Sequence, residues 1–132
     1  HCCANTDWEF VLSSPVGFVS FDADAYGDKL AIYPEAVARF LDRGGLVLWG
    51  IVPTAADRLA AETTATILER LRGLFRTLVA RGVPARGLYR QSMITPACGL
   101  AGLTVDQARL AMSLAREISE TARAEFGVGP DQ

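Results

Sequence analysis

Three separated pieces of this chain carry residue types that bind metal ions. They are His1-Cys2-Cys3, Asp22 directly after the run 16–21, and Cys98 within Thr95-Pro96-Ala97-Cys98-Gly99-Leu100. The chain has one histidine, and it stands two positions before Cys3. A neutral imidazole, thiolates and a carboxylate form a donor set suited to Zn²⁺, a borderline-soft cation with no redox chemistry of its own. That chemistry requires residues nearly a hundred positions apart to meet in space.

The elements that must position them are legible in the hydrophobic pattern. The run 16–21 is continuously apolar, as expected of a strand buried on both faces, and 46–52 reads the same way. A weaker strand is expected over 87–92. Thr6 and Glu9 stand at capping-box spacing and open a short helix that ends near Ser13-Ser14-Pro15. A second helix starts at Tyr33-Pro34-Glu35 and buries Val37, Phe40 and Leu41 before Gly44-Gly45. A long helix is predicted over roughly 56–80, with Ile67, Leu71, Leu74 and Leu78 on one stripe and Gly82 and Pro84 after it. Thr104 and Gln107 form a second capping-box pair, opening a last helix through Ala111, Leu114, Ile118 and Ala122. The tail 127–132 is expected to fray.

Strands alternating with helices imply βαβ units, a parallel sheet and right-handed crossovers. In a parallel sheet the residues that follow the strands gather at one edge. His1 and Cys3 are two apart, so in an extended segment both side chains point to one side and Cys2 to the other. Asp22 follows the first strand and Cys98 the last. Remote residues can therefore share a rim. Counting a strand remnant at 1–3, the chain holds about half of the roughly 250 residues typical of an eight-fold barrel.

The bulk properties narrow the function. The chain has 132 residues and a mass of 14.2 kDa, which bounds it to a single domain, here expected to be a partial one spanning 1–132. A net charge of -2 and a pI near 5.3 argue against a nucleic-acid partner. No apolar run is long enough to span a bilayer, and no signal segment is evident. Three cysteines do not close a disulfide framework, so reduced thiols in a cytoplasm are expected. A start on His1 rather than Met suggests that sequence is missing upstream.

His1-Cys2-Cys3-Ala4, Phe18-Val19-Ser20-Phe21-Asp22, Leu48-Trp49-Gly50-Ile51-Val52-Pro53-Thr54 and Thr95-Pro96-Ala97-Cys98-Gly99-Leu100-Ala101-Gly102 occur in one order along nearly the whole chain. In this the chain resembles the C-terminal catalytic part of cobalamin-independent methionine synthase-like proteins, in the superfamily shared with uroporphyrinogen decarboxylase. The resemblance implies the C-terminal half of a (β/α)₈ TIM barrel and a methyltransferase that moves a methyl group to the thiol of homocysteine in methionine biosynthesis. It also implies a zinc ion held by His1, Cys3, Asp22 and Cys98. The family usually has glutamate at the position of Asp22. Aspartate is one methylene shorter, so either the backbone sits closer or the carboxylate is a weaker, displaceable ligand, and Asp24 is an alternative two positions on. The implied methyl donor is a folate or a methyl-corrinoid.

The same residues have plainer readings. A free cysteine is often a small buried hydrophobe, and Cys2 is expected to pack rather than to ligate. Asp22 and Asp24 suit loop carboxylates or helix caps. Trp8 and Trp49 suit core packing. Arg70, Arg72, Arg76 and Arg81 suit the wet face of the long helix, and Tyr89, Arg90 and Gln91 the last strand. The functional alternatives are a methyl-corrinoid:thiol methyltransferase of the same superfamily and a non-catalytic zinc-binding fragment that serves as an interaction module. Exposed sheet edges would favour self-association.

Overall fold

The computed structural model describes residues 1–127. In chain order the elements are α1 (Trp8–Ser13), β1 (Phe18–Phe21), α2 (Ala23–Leu30), α3 (Pro34–Asp42), β2 (Leu46–Val52), α4 (Ala56–Ala60), α5 (Thr64–Ala80), α6 (Ala85–Arg90), β3 (Ser92–Pro96) and α7 (Val105–Phe126). The tail expected to fray lies outside the described residues from position 128 onward. The strands form a three-stranded parallel sheet in the order β1-β2-β3. The expected α/β class with a parallel sheet is thus present. The remnant at 1–3 is a single parallel bridge from Cys2 to Phe21, made by Cys2 N–H to the Ser20 carbonyl (2.9 Å) and Asp22 N–H to the Cys2 carbonyl (3.1 Å).

The two faces of the sheet differ. Val19, Phe21, Val47, Trp49 and Ile51 are buried beneath helices. Trp8 of α1 meets Phe21 edge-on at 5.0 Å between ring centroids. Phe21 meets Trp49 at 5.4 Å, and Trp49 meets Phe75 of α5 at 5.1 Å. Such offset contacts suit the quadrupoles of the rings and add to the area they bury. Helix α7 extends this core through Phe126, which stacks on Tyr89 at 4.3 Å. On the opposite face Phe18, Leu46 and Met93 are exposed, with Phe18 at 66 %.

Several expectations change in detail. The run 16–21 is a strand only from Phe18, and it is buried on one face, not two: Val19 and Phe21 are buried while Phe18 is exposed. The helix predicted over 56–80 is broken into α4 and α5, since Thr63 and Thr66 form a capping box that starts a new helix. The strand expected over 87–92 is helix α6 followed by β3, so Tyr89 and Gln91 work differently. Tyr89 joins the aromatic core, and Gln91 Nε2 donates to the carbonyls of Leu41 (2.8 Å) and Gly45 (2.7 Å). Asp7, not Thr6, caps α1. Helix α2 was not anticipated, although Ala23, Gly27 and Leu30 fall at i, i+4 and i+7 and all three are buried.

The capping box at Thr104 and Gln107 forms as expected, and Ala111, Leu114, Ile118 and Ala122 are buried. Pro34 opens α3, and Gly44, at φ 87°, follows its end. Trp8 and Trp49 are fully buried. Among the described residues no helix is long and apolar enough to cross a membrane.

Gly50 sets the closeness of the strands near the rim. A Cβ there would lie 2.4 Å from the Phe21 carbonyl oxygen and 2.8 Å from Ala97 Cα, both backbone atoms that cannot move aside cheaply. Gly73 in α5 has nothing within 4 Å of a built Cβ. Gly50→Ala should therefore cost about 1–3 kcal/mol in urea denaturation. Gly73→Ala should be neutral or stabilise by about 0.5–1 kcal/mol through helix propensity.

Candidate functional site

Parallel pairing brings the first and last pieces of the chain to one edge of the sheet. The ligand atoms of His1, Cys3 and Cys98 all lie within 4.8 Å of one another, and all three residues are exposed. Around a tetrahedral Zn²⁺, ligand atoms sit about 3.5–3.8 Å apart, given bonds of about 2.0–2.3 Å. Rotamer adjustments on the order of 1 Å would close this triad on such an ion. One neutral nitrogen and two sulfurs are also the donor chemistry such an ion takes. The residues present therefore fit zinc.

Local structure explains each placement. Cys2 is locked by its bridge to Phe21 and packs against the core, so its neighbours His1 and Cys3 are directed away from it. His1 Nδ1 is 2.8 Å from Ser20 Oγ. That contact fixes the ring and leaves Nε2 as the nitrogen free for a metal, the usual division of labour in a metal-binding histidine. Ser20 was not singled out from the sequence. It is the β1 residue two before Asp22, and its place in the strand alternation was the available signal. Cys98 stands just beyond β3, after Ala97 N–H bonds back to the Val52 carbonyl at 2.8 Å.

Asp22 is not among the three. It is the N-cap of α2, and its Oδ1 accepts from Ala25 N–H at 2.8 Å. An unpaired N–H at a helix start competes for that carboxylate, and here the helix holds it. Asp24 is likewise engaged elsewhere. It pairs with Arg58 at 2.7 Å and Arg70 at 2.9 Å, and its side chain is 5 % exposed. Arg70 also reaches Glu62 at 2.5 Å. Arg70 is thus a tie from α5 to α2 and the α4–α5 junction, not part of a wet face. Arg81, likewise, donates to the Ala31 carbonyl at 2.9 Å. Arg76 does lie on the exposed face.

The two carboxyls of this cluster are shifted in opposite directions. Burial raises Asp24 above the usual aspartate value, outweighing the attraction of Arg58 and Arg70, and the charges on Asp22 and Glu62 push the same way. Burial also acts to raise Glu62, but hydrogen bonds from Thr66 and Arg70 and the charges of Arg70 and Arg58 overcome it, so Glu62 lies below the usual value.

An open, shallow depression of about 310 Å³ lies beside the triad, lined by His1, Ser20, Thr95, Pro96, Cys98 and Gly99. Comparison of the chain with family models, curated proteins and solved structures gives no match.

Two outcomes follow from the ion cluster. Arg70→Ala strips a partner from two nearly buried carboxylates and should cost about 1–3 kcal/mol in chemical denaturation at neutral pH. Glu62 ionises more readily in the folded chain than in the unfolded one. It therefore contributes stability above the ordinary glutamate value, and that contribution is lost as pH falls through the lower folded value. Asp24 has the opposite sign: its contribution is present below the ordinary aspartate value and is lost as pH rises through the raised one. Glu62→Gln should accordingly flatten the acid limb of a stability–pH curve, and an unchanged limb would contradict the assignment.

Proposed function

We propose that this chain carries the zinc site of a methyltransferase acting on a small thiol, with homocysteine as acceptor and methionine as product. The observation that supports it most is the meeting of His1, Cys3 and Cys98 at one edge of the sheet. When bound, Zn²⁺ would supply the positive charge that keeps an incoming thiol deprotonated at neutral pH, where a free thiol of pKa about 8.5 is mostly protonated. The chain's own residues do the rest. Ser20 orients the His1 ring, Cys3 and Cys98 add two soft donors, and Cys2 packs against the core.

Exposure of all three ligands favours a site with an exchangeable position, the mark of a catalytic rather than a structural zinc. In this reading Asp22 remains the cap of α2, and the fourth position belongs to the substrate. In the transfer a sulfur–methyl bond forms as the donor–methyl bond breaks, and the thiol proton leaves to solvent. The donor is a folate or a methyl-corrinoid, and the reducing cytoplasm is the compartment in which exposed thiols persist.

We further propose that the sheet is the C-terminal half of a (β/α)₈ barrel. Consecutive parallel strand order, helices on one face, and an opposite face carrying Phe18, Leu46 and Met93 support this. In a barrel that second face is the filled interior.

Elemental analysis of the purified, folded chain should give about one zinc per chain. Cys98→Ala should remove most of the zinc affinity and Cys2→Ala should not. Equal loss in both, or a folded chain without zinc, would overturn the proposal.

A further inference from the structure

We infer that Cys3 and Cys98 are a reversible redox pair: a peroxide oxidises them to a disulfide, and small thiols reduce it again. The inference stands on the placement of two sulfurs and holds whether or not the site transfers methyl groups. The two Sγ atoms lie within 4.8 Å of each other, and both residues are exposed. Neither is engaged in a disulfide already. A disulfide needs a sulfur separation of about 2.0 Å. Neither cysteine sits in a helix or a strand: Cys3 follows the bridge at Cys2, and Cys98 lies in the irregular segment beyond β3. Such segments shift without disturbing the sheet, so side-chain rotation and a small backbone movement close the remaining gap.

Cys2 is excluded from the pair although it stands next to Cys3. Its backbone is fixed to Phe21, and its side chain packs against the core on the other side of the extended segment. Cys98 also borders the open depression at this rim, where a small oxidant reaches it. In the first step one sulfur attacks hydrogen peroxide. A sulfur–oxygen bond forms, the oxygen–oxygen bond breaks, and the thiol proton leaves in a water molecule. The second thiol then displaces that oxygen: the sulfur–sulfur bond forms, the sulfur–oxygen bond breaks, and a second water leaves. Two sulfurs are oxidised as the two peroxide oxygens are reduced. The product ties the N-terminal segment to the loop beyond the last strand. It also withdraws both sulfurs from any metal ion, because the thiolate is the form that ligates.

The test uses the full chain, reduced, freed of metal with a chelator and treated with an equimolar amount of hydrogen peroxide. Intact mass spectrometry should show a loss of about 2 Da, and alkylation should count one free thiol in place of three. A tryptic digest should link peptide 1–29 to peptide 91–109. Dithiothreitol should restore all three thiols. Cys2→Ser should form the bridge as the parent does, whereas Cys3→Ser and Cys98→Ser should each lose it. A folded parent chain that keeps its three thiols, ends in sulfinic acids or cross-links only between chains overturns the inference. So does an internal bridge that survives in Cys3→Ser. Failure of the zinc reading looks different: the disulfide forms, and prior addition of Zn²⁺ does not slow it.

Discussion

Parallel pairing on both sides of Leu46–Val52 is the constraint on which the rest of the molecule depends. Parallel strands need long return connections, and these are helices that must cover the sheet. The register Ser20–Leu48–Met93 runs straight across the three strands, so their ends come out together. The bridge from Cys2 to Phe21 extends the same order by one further step. Everything placed just beyond a strand is then delivered to a common rim, whatever its distance along the chain.

That rim is held from two sides. On the helix-covered face, Trp8, Phe21, Trp49 and Phe75 form a continuous run of edge-on rings that ties α1, both strands and α5 together. At the rim itself Gly50 lets the backbone at Phe21 and Ala97 approach so closely that no side chain fits. The aromatic core supplies rigidity and the glycine supplies proximity. A site built from an N-terminal segment and a loop beyond the last strand needs both.

The charged cluster at the start of α2 illustrates how tertiary structure redirects a residue's role. Asp22 and Asp24 are both carboxylates near the rim, and either has the chemistry of a metal ligand. One is held by the N-terminus of α2 and the other by two arginines from α4 and α5. Local competition for a carboxylate, by a helix start or a guanidinium, decides which oxygen atoms remain for a ligand.

The sequence by itself determined the alternation of strands and helices, because apolar period and capping residues are local signals. The strand 46–52, the start of α3 at Pro34 and the Thr104–Gln107 box are all legible without coordinates. So was the opposite facing of Cys2 and its two neighbours, which needs only the two-residue period of an extended chain. Other features required the folded molecule. The break between α4 and α5 and the helical state of 85–90 were not distinguished by periodicity, because short apolar runs suit either element. Burial of β1 on one face alone depends on which helices return to which side. The pairing of Arg70 with Asp24 and the contact of Ser20 with His1 are facts of long-range packing. No local pattern encodes them, since each is set by where remote backbone segments come to rest against one another.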